Sequence, residues 1–332
     1  TFFIFFILFL QTICKMHILY CIMIANDLQE GVLSMKKILL LMVSLASVFL
    51  LSSCQNTTNT QQVVVTMFPQ YDIVRNIVGD KLDVSLITPI GTEVHGFEPT
   101  SKQLINIKKS KLFIFTSDEI DTWVTASLTK DINSLNLYES FSDITYPNTD
   151  ASDFSHYWTD PVIFSQLIDV ILEQLVLIDV ANEALYITNA QAYQNKILTL
   201  HDEMSAFLKN HDGTVFFAGH NSMVNFSSRY QLNMVPLHEH FEPDADLTST
   251  QLTSLVDQIK AADIHYLFIG ELVSSKIGES IKTALGSNYD ITILELHSYH
   301  NLTLDDYNHQ VTYYDLMLRN FNHLKLALGA LL

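Results

Sequence analysis

The sequence predicts an α/β protein of two lobes, each a mostly parallel sheet covered by helices, joined by one long backbone helix. Three observations carry this. Short β-rich runs alternate with helix-period runs over residues 63–116 and again over 214–296, which is the signature of parallel, helix-covered sheets. Between Val162 and Lys209 there is neither Gly nor Pro, so nothing breaks a long helical stretch at the middle of the chain. Finally, His95, His220 and His300 fall just past expected strand ends, where open α/β sheets collect ligands.

In order, residues 63–66 are a short buried strand. Residues 69–78 form a helix, with Ile73, Val74, Ile77 and Val78 at helical spacing before Gly79-Asp80 ends it. A second strand spans 83–88, a helix 100–109 with Leu104, Ile105 and Ile107 inward, and a third strand 111–116. A helix over 123–128 and a strand within 136–141 follow, then a polar loop over 147–154. Residues 162–177 and 183–208 are long amphipathic helices. The second half repeats the alternation: strands at 214–218, 233–237, 265–269 and 291–296, helices at 222–230, 250–261, 275–285 and 312–328.

Residues 1–34 read as translated upstream sequence, because Met35-Lys36-Lys37 starts a basic segment and 38–51 is an apolar run too short to span a bilayer. Leu51-Ser52-Ser53-Cys54 closes that run, and small residues before a cysteine there resemble the lipobox of bacterial lipoproteins. The resemblance implies a signal peptide over 35–53, a lipid on Cys54, and a protein anchored to the cell membrane on its extracytoplasmic side. Residues 54–62, rich in Asn, Thr and Gln, are the flexible tether. The folded body then divides into an N-terminal lobe over 63–180, a linking helix over 181–211 and a C-terminal lobe over 212–332.

Beyond residue 53 the chain holds 15 basic and 34 acidic residues, a net of −19, and 12 of the 13 histidines. Such a surface disfavours nucleic acid and is compatible with attracting cations. The cysteines are Cys14, Cys21 and Cys54, so the body has no disulfide and no thiolate ligand.

Four loops carry a histidine that could enter a cleft between the lobes. The first is Val94-His95-Gly96-Phe97-Glu98-Pro99, where Gly96 is expected to allow close backbone approach. The others present His156 before Tyr157-Trp158-Thr159-Asp160-Pro161, His220 after Gly219, and His300 after His297-Ser298-Tyr299. Four neutral imidazoles satisfy a tetrahedral ion of zinc's borderline softness. Asp160 before Pro161 is expected to cap the following helix.

These motifs resemble the zinc- and manganese-binding solute-binding proteins of ABC importers, the cluster that includes adhesin-like lipoproteins. The resemblance covers nearly all of 63–332: His-Gly-Phe-Glu-Pro at 95–99, His156-Tyr157-Trp158-Thr159-Asp160-Pro161, Gly219-His220-Asn221-Ser222-Met223 with Arg229-Tyr230-Gln231-Leu232, and the terminal Thr312-Tyr313-Tyr314-Asp315-Leu316-Met317. It implies a metal site in the interlobe cleft, with His95, His156, His220 and His300 as ligands. The family usually has Asp or Glu at the fourth position, which here falls on His300, with Glu295 and His297 as neighbouring alternatives. Histidine at the third position points to Zn2+ over Mn2+. Glu98 is expected to orient a ligand ring or to start a helix, and His238 and His240 to be solvated or to form an accessory metal site. The implied function is zinc capture and delivery to a membrane permease and ATPase by a monomeric, non-enzymatic lipoprotein. A manganese-specific binder, a zinc hydrolase, for which no His-Glu-x-x-His motif is present, and an adhesin with a structural metal are the alternatives.

Overall fold

The computed structural model describes residues 62–140, 156–211, 213–218, 222–236, 248–272 and 275–329. The signal segment, Cys54, His220, His238 and His240 lie outside them. In the first half β1 (Val63–Val65), β2 (Val84–Leu86), β3 (Leu112–Phe115) and β4 (Ser134–Asn136) form a parallel sheet in the order β2-β1-β3-β4. In the second, β5 (Val215–Ala218), β6 (Met234–Pro236), β7 (Tyr266–Ile269) and β8 (Thr292–Glu295) form another in the order β6-β5-β7-β8. The two orders are the same. Each sheet reverses direction of growth beside its first strand, which creates a crevice at the strand carboxyl ends.

The helices are α1 (Phe68–Val78), α2 (Ser101–Lys109), α3 (Ala126–Thr129), α4 (Pro161–Ile178), α5 (Glu183–Leu208), α6 (Val224–Tyr230), α7 (Ser249–Ala261), α8 (Ser275–Leu285), α9 (Leu304–Asn308) and α10 (Tyr313–Ala327). Between α4 and α5, neither Gly nor Pro makes the break. The Asp179 carboxylate accepts from Asn182 Nδ2 and the Tyr186 hydroxyl, 2.8 and 2.6 Å away, and folds the chain back there.

Strand alternation sorts the core. Val63, Val65, Leu112 and Ile114 face one way and Val64, Phe113 and Phe115 the other. The second set packs with Ile107 and Leu128 as an outer layer, and Leu255, Ile259, Ile277 and Ile281 cover the outer face of the second sheet. The inner faces of both sheets share one core. Ile168 and Ile171 of α4, Tyr193, Ile197 and Met204 of α5, and Leu316 and Phe321 of α10 belong to it, as do Ile114 and Phe217 from the two sheets. α4 is apolar enough by composition to cross a membrane, but its buried face lies in this shared core.

Three expectations differ from the structure, and one helix had no counterpart among them. The helix expected over 123–128 is the single turn α3, while Trp123 packs against Phe97 and Phe113. The strand expected within 136–141 lies earlier, as β4, because Asn136 opens a turn in which its carbonyl accepts from Ser140 Oγ. Ile105, expected inward, is 53% exposed. Helix α9 was not anticipated, although Thr303 capping the Asp306 N–H is a readable start signal.

Because the halves share a core, the chain is expected to unfold in one transition. Ile197→Ala, at a fully buried site on α5, should lower stability by about 2–5 kcal/mol without splitting that transition, as read by urea denaturation followed by both circular dichroism and tryptophan fluorescence.

Candidate metal centre

His95 lies on the loop after β2. Gly91 begins the excursion with φ +80°, a conformation that suits glycine. Its N–H donates to the Leu302 carbonyl, 2.9 Å away. Asn301 Nδ2 donates to the carbonyls of Pro89 and Thr92 at 2.7 and 2.9 Å. The loop is thus tied to the second half just before it reaches His95. Beyond His95, Phe97 packs on Trp123, and Gln103 Nε2 donates to the Ile87 carbonyl. A Cβ on Gly96 would meet nothing within 4 Å, so the close approach expected of this glycine does not occur there.

His156 precedes a 3-10 turn, Tyr157–Thr159, that leads into α4. Asp160 caps α4 as expected, with Oδ1 accepting from Val162 N at 2.8 Å. Its other oxygen takes the Arg229 fork from α6, Nε at 2.8 Å and the terminal nitrogen at 2.7 Å. The Trp158 indole N–H donates to the Ser298 carbonyl at 3.0 Å, and Tyr313 of α10 donates to the Trp158 carbonyl at 2.9 Å.

Beneath these loops the first sheet's crevice is filled rather than open. Thr66, Gln70, Thr116 and Asp121 interlink by hydrogen bonds, and the Tyr157 hydroxyl donates to the Thr116 carbonyl. Burial pushes the Asp121 carboxyl up to about 6, against the opposing hydrogen bonds from Thr116 and Thr66.

His300 arrives from the turn after β8. Tyr299 there has φ +65°, a strained conformation for a bulky residue. It is held by stacking on Tyr313, by Asn320 Nδ2 donating to its hydroxyl, and by its own N–H donating to His297 Nδ1. The Glu271 carboxylate, just past β7, accepts from the N–H groups of Ser298 and His300, from Ser298 Oγ and from His300 Nδ1, all at 2.7–3.1 Å. Burial pushes the Glu271 carboxyl up, but the His297 and His300 rings and these hydrogen bonds outweigh it and hold the group well below the usual carboxylate range.

The three imidazoles converge. One ring nitrogen from each of His95, His156 and His300 lies within 4.8 Å of the others. His95 Nε2 and His156 Nε2 are 3.5 Å apart. Nitrogens bound to a tetrahedral zinc stand about 3.3–3.4 Å apart, so this edge is already at binding length. His156 and His300 are buried, while the His95 side chain is 35% exposed and forms the open side.

The other candidates sit elsewhere. Glu295 pairs with Arg319 at 3.2 Å. His297 is buried and outside the converging set. Glu98 is exposed; the carboxylate beside His95 is that of Glu93, which accepts from the Val94 and His95 N–H groups and lies 3.9 Å from His95 Nε2. Sequence reasoning missed Glu93, Glu271 and Arg229 as supporting residues. For Glu271 a signal existed: an acid directly after a strand-ending Gly270.

The profile of the family described as zinc-uptake complex component A, periplasmic, matches residues 63–327. The high-affinity zinc uptake system protein ZnuA of Bacillus subtilis is 25% identical over 314 residues, 87% of this chain and 97% of that protein. The zinc-binding lipoprotein AdcA of Streptococcus pneumoniae is 25% identical over 310 residues; the match takes in 88% of this chain and 61% of AdcA's length. Among solved structures, the Zn(II)-bound ZnuA-like domain of Streptococcus pneumoniae AdcA superposes with a TM-score of 0.68 at 22% identity, covering 80% of this chain and 97% of that domain.

Two outcomes follow from this geometry. Arg229→Met leaves the buried Asp160 carboxylate without its cation and should cost about 3 kcal/mol, measured as a shift in the urea midpoint. Asp121 binds a proton more tightly folded than unfolded, so its contribution falls as pH rises from about 4 to about 6. Relative to Asp121→Asn, the wild-type chain should lose about 2–3 kcal/mol between pH 4 and pH 7, read from urea midpoints at each pH.

Proposed function

The chain belongs to the zinc-uptake complex component A family, and on that premise we propose that it captures zinc outside the cytoplasm and passes it to a membrane permease driven by an ATPase. His95, His156 and His300 bind the ion, and His220 supplies the fourth nitrogen. The observation that carries this reading is the convergence of the three rings, with the 3.5 Å edge between His95 and His156 matched to zinc coordination. The choice of His220 is supported by its position two residues after Ala218, where β5 ends beside β7 and its neighbour Glu271. An all-imidazole set favours zinc over the harder manganese ion.

Capture and handover make no or break no covalent bond in a substrate, and the supporting carboxylates suit that. A hydrolase needs an acid/base carboxylate free to move a proton beside an open coordination position. Glu271 is committed to four hydrogen bonds and buried, and Glu93 accepts from two backbone N–H groups. The lipobox-like Leu51-Ser52-Ser53-Cys54 supports anchoring of the protein to the membrane through a lipid on Cys54.

Full chain stripped with a chelator should take up about one zinc ion. His95→Ala, His156→Ala and His300→Ala should each weaken zinc binding by more than about 100-fold, beyond what loss of a supporting partner costs. Affinities unchanged in all three variants would overturn the assignment, and a competition titration against manganese reads the metal preference.

A further inference from the structure

We propose that Glu271 is the positioning residue of this centre: its buried carboxylate locks His300 in the Nδ1–H tautomer, aims the Nε2 lone pair at the ion, and supplies negative charge directly behind an all-imidazole ligand set. The proposal rests on the zinc-binding reading above and deepens it.

The tautomer follows from donor and acceptor counting. Glu271 Oε1 lies 2.9 Å from His300 Nδ1 and 3.1 Å from the His300 N–H. Its Oε2 accepts from the Ser298 N–H at 2.8 Å and from Ser298 Oγ at 2.7 Å. An ionised carboxylate only accepts, so His300 Nδ1 carries the hydrogen. Ser298 Oγ, 2.9 Å from the same Nδ1, has spent its own hydrogen on Glu271 and offers a lone pair there too. In the neutral ring the remaining lone pair is on Nε2, as a metal requires.

His297, three residues earlier, shows the opposite arrangement. Its Nδ1 accepts from the Tyr299 N–H at 2.9 Å, so its neutral ring carries hydrogen on Nε2, a buried atom with no hydrogen-bond partner among the described residues. Glu271 Oε1 is 4.0 Å from His297 Nδ1 against 2.9 Å from His300 Nδ1. Two histidines on one turn are therefore sorted by their partners: one is prepared to ligate, the other is built into the core.

Charge gives the carboxylate a second role. Imidazoles bring a doubly charged ion into a partly buried site without neutralising it, and that is costly in a low-dielectric interior. A carboxylate hydrogen-bonded to the far side of a ligating imidazole raises the ring's basicity and fixes its orientation. Glu271 reaches this place because it leaves β7 at the sheet's reversal point, beside the turn after β8.

The test uses the full chain and two readouts. Long-range 1H–15N correlation on metal-free protein should show His300 as the Nδ1–H tautomer, with that bias lost in Glu271→Gln, whose amide brings donors against the Ser298 or His300 donors. Zinc affinity, measured by competition with a chromophoric chelator, should fall about 10–100-fold in Glu271→Gln. Glu98→Gln, which neutralises a carboxylate that lies in solvent, should stay within about 3-fold of wild type, well short of the loss of a supporting partner. An Nε2–H tautomer for His300 in the wild-type chain, or unchanged zinc affinity in Glu271→Gln, overturns the proposal. If Glu271→Gln fails to fold, the wild-type tautomer decides alone. Absence of zinc binding by the wild-type chain would instead sink the functional reading, while the tautomer measurement still reports on Glu271.

Discussion

The centre depends on the hydrogen bond from the Trp158 indole to the Ser298 carbonyl. Trp158 is two residues from His156, and Ser298 two residues from His300. That bond joins a loop of the first half to a turn of the second at the level of His156 and His300, whose ring centroids lie 5.1 Å apart. Around it, Tyr313 fixes the Trp158 carbonyl, and Trp158 packs edge-on against His300. The Asp160–Arg229 pair closes the same join from below, and because Asp160 also caps α4, the helix start and the contact between halves are one feature.

What surrounds these contacts explains how the site is kept in shape. The shared core, with α4, α5 and α10 between the sheets, makes the two halves one packed body. The strained backbone of Tyr299 is tolerable because its ring is stacked on Tyr313 within that body. Strain at the turn is thus offset by burial beneath it, and the result is a histidine presented at a fixed angle.

Much of this was legible in the sequence, and the reasons differ by element. The strands and long helices carried period-2 and period-3.6 patterns because each buries one defined face, as Val63 and Val65 against Val64 show. The histidine loops were legible as candidates because His95 and His300 fall just beyond strand ends, and these two converge with His156 in the structure. The shared core was not legible: the pattern of α5 says which face is apolar, not which sheets that face will meet. Nor was the choice between His297 and His300, which differ only in the partners of their ring nitrogens, and those partners, Tyr299 N–H and Glu271, are set by the turn's backbone and by a strand remote in sequence. Glu93 and Glu98 were indistinguishable as single acids flanking His95; the turn after β2 brings Glu93 onto the backbone of that loop and leaves Glu98 in solvent.

The loop of His95 and the turn of His300 are joined chiefly through main-chain atoms: the Gly91 N–H to the Leu302 carbonyl, and the Pro89 and Thr92 carbonyls to Asn301. The distance between His95 and His300 is therefore written in backbone and in one neighbouring asparagine, not in the two imidazoles themselves. Scaffold and coordination chemistry are separable as a result. Exchanging either histidine for a carboxylate would leave in place the contacts that bring the two positions together.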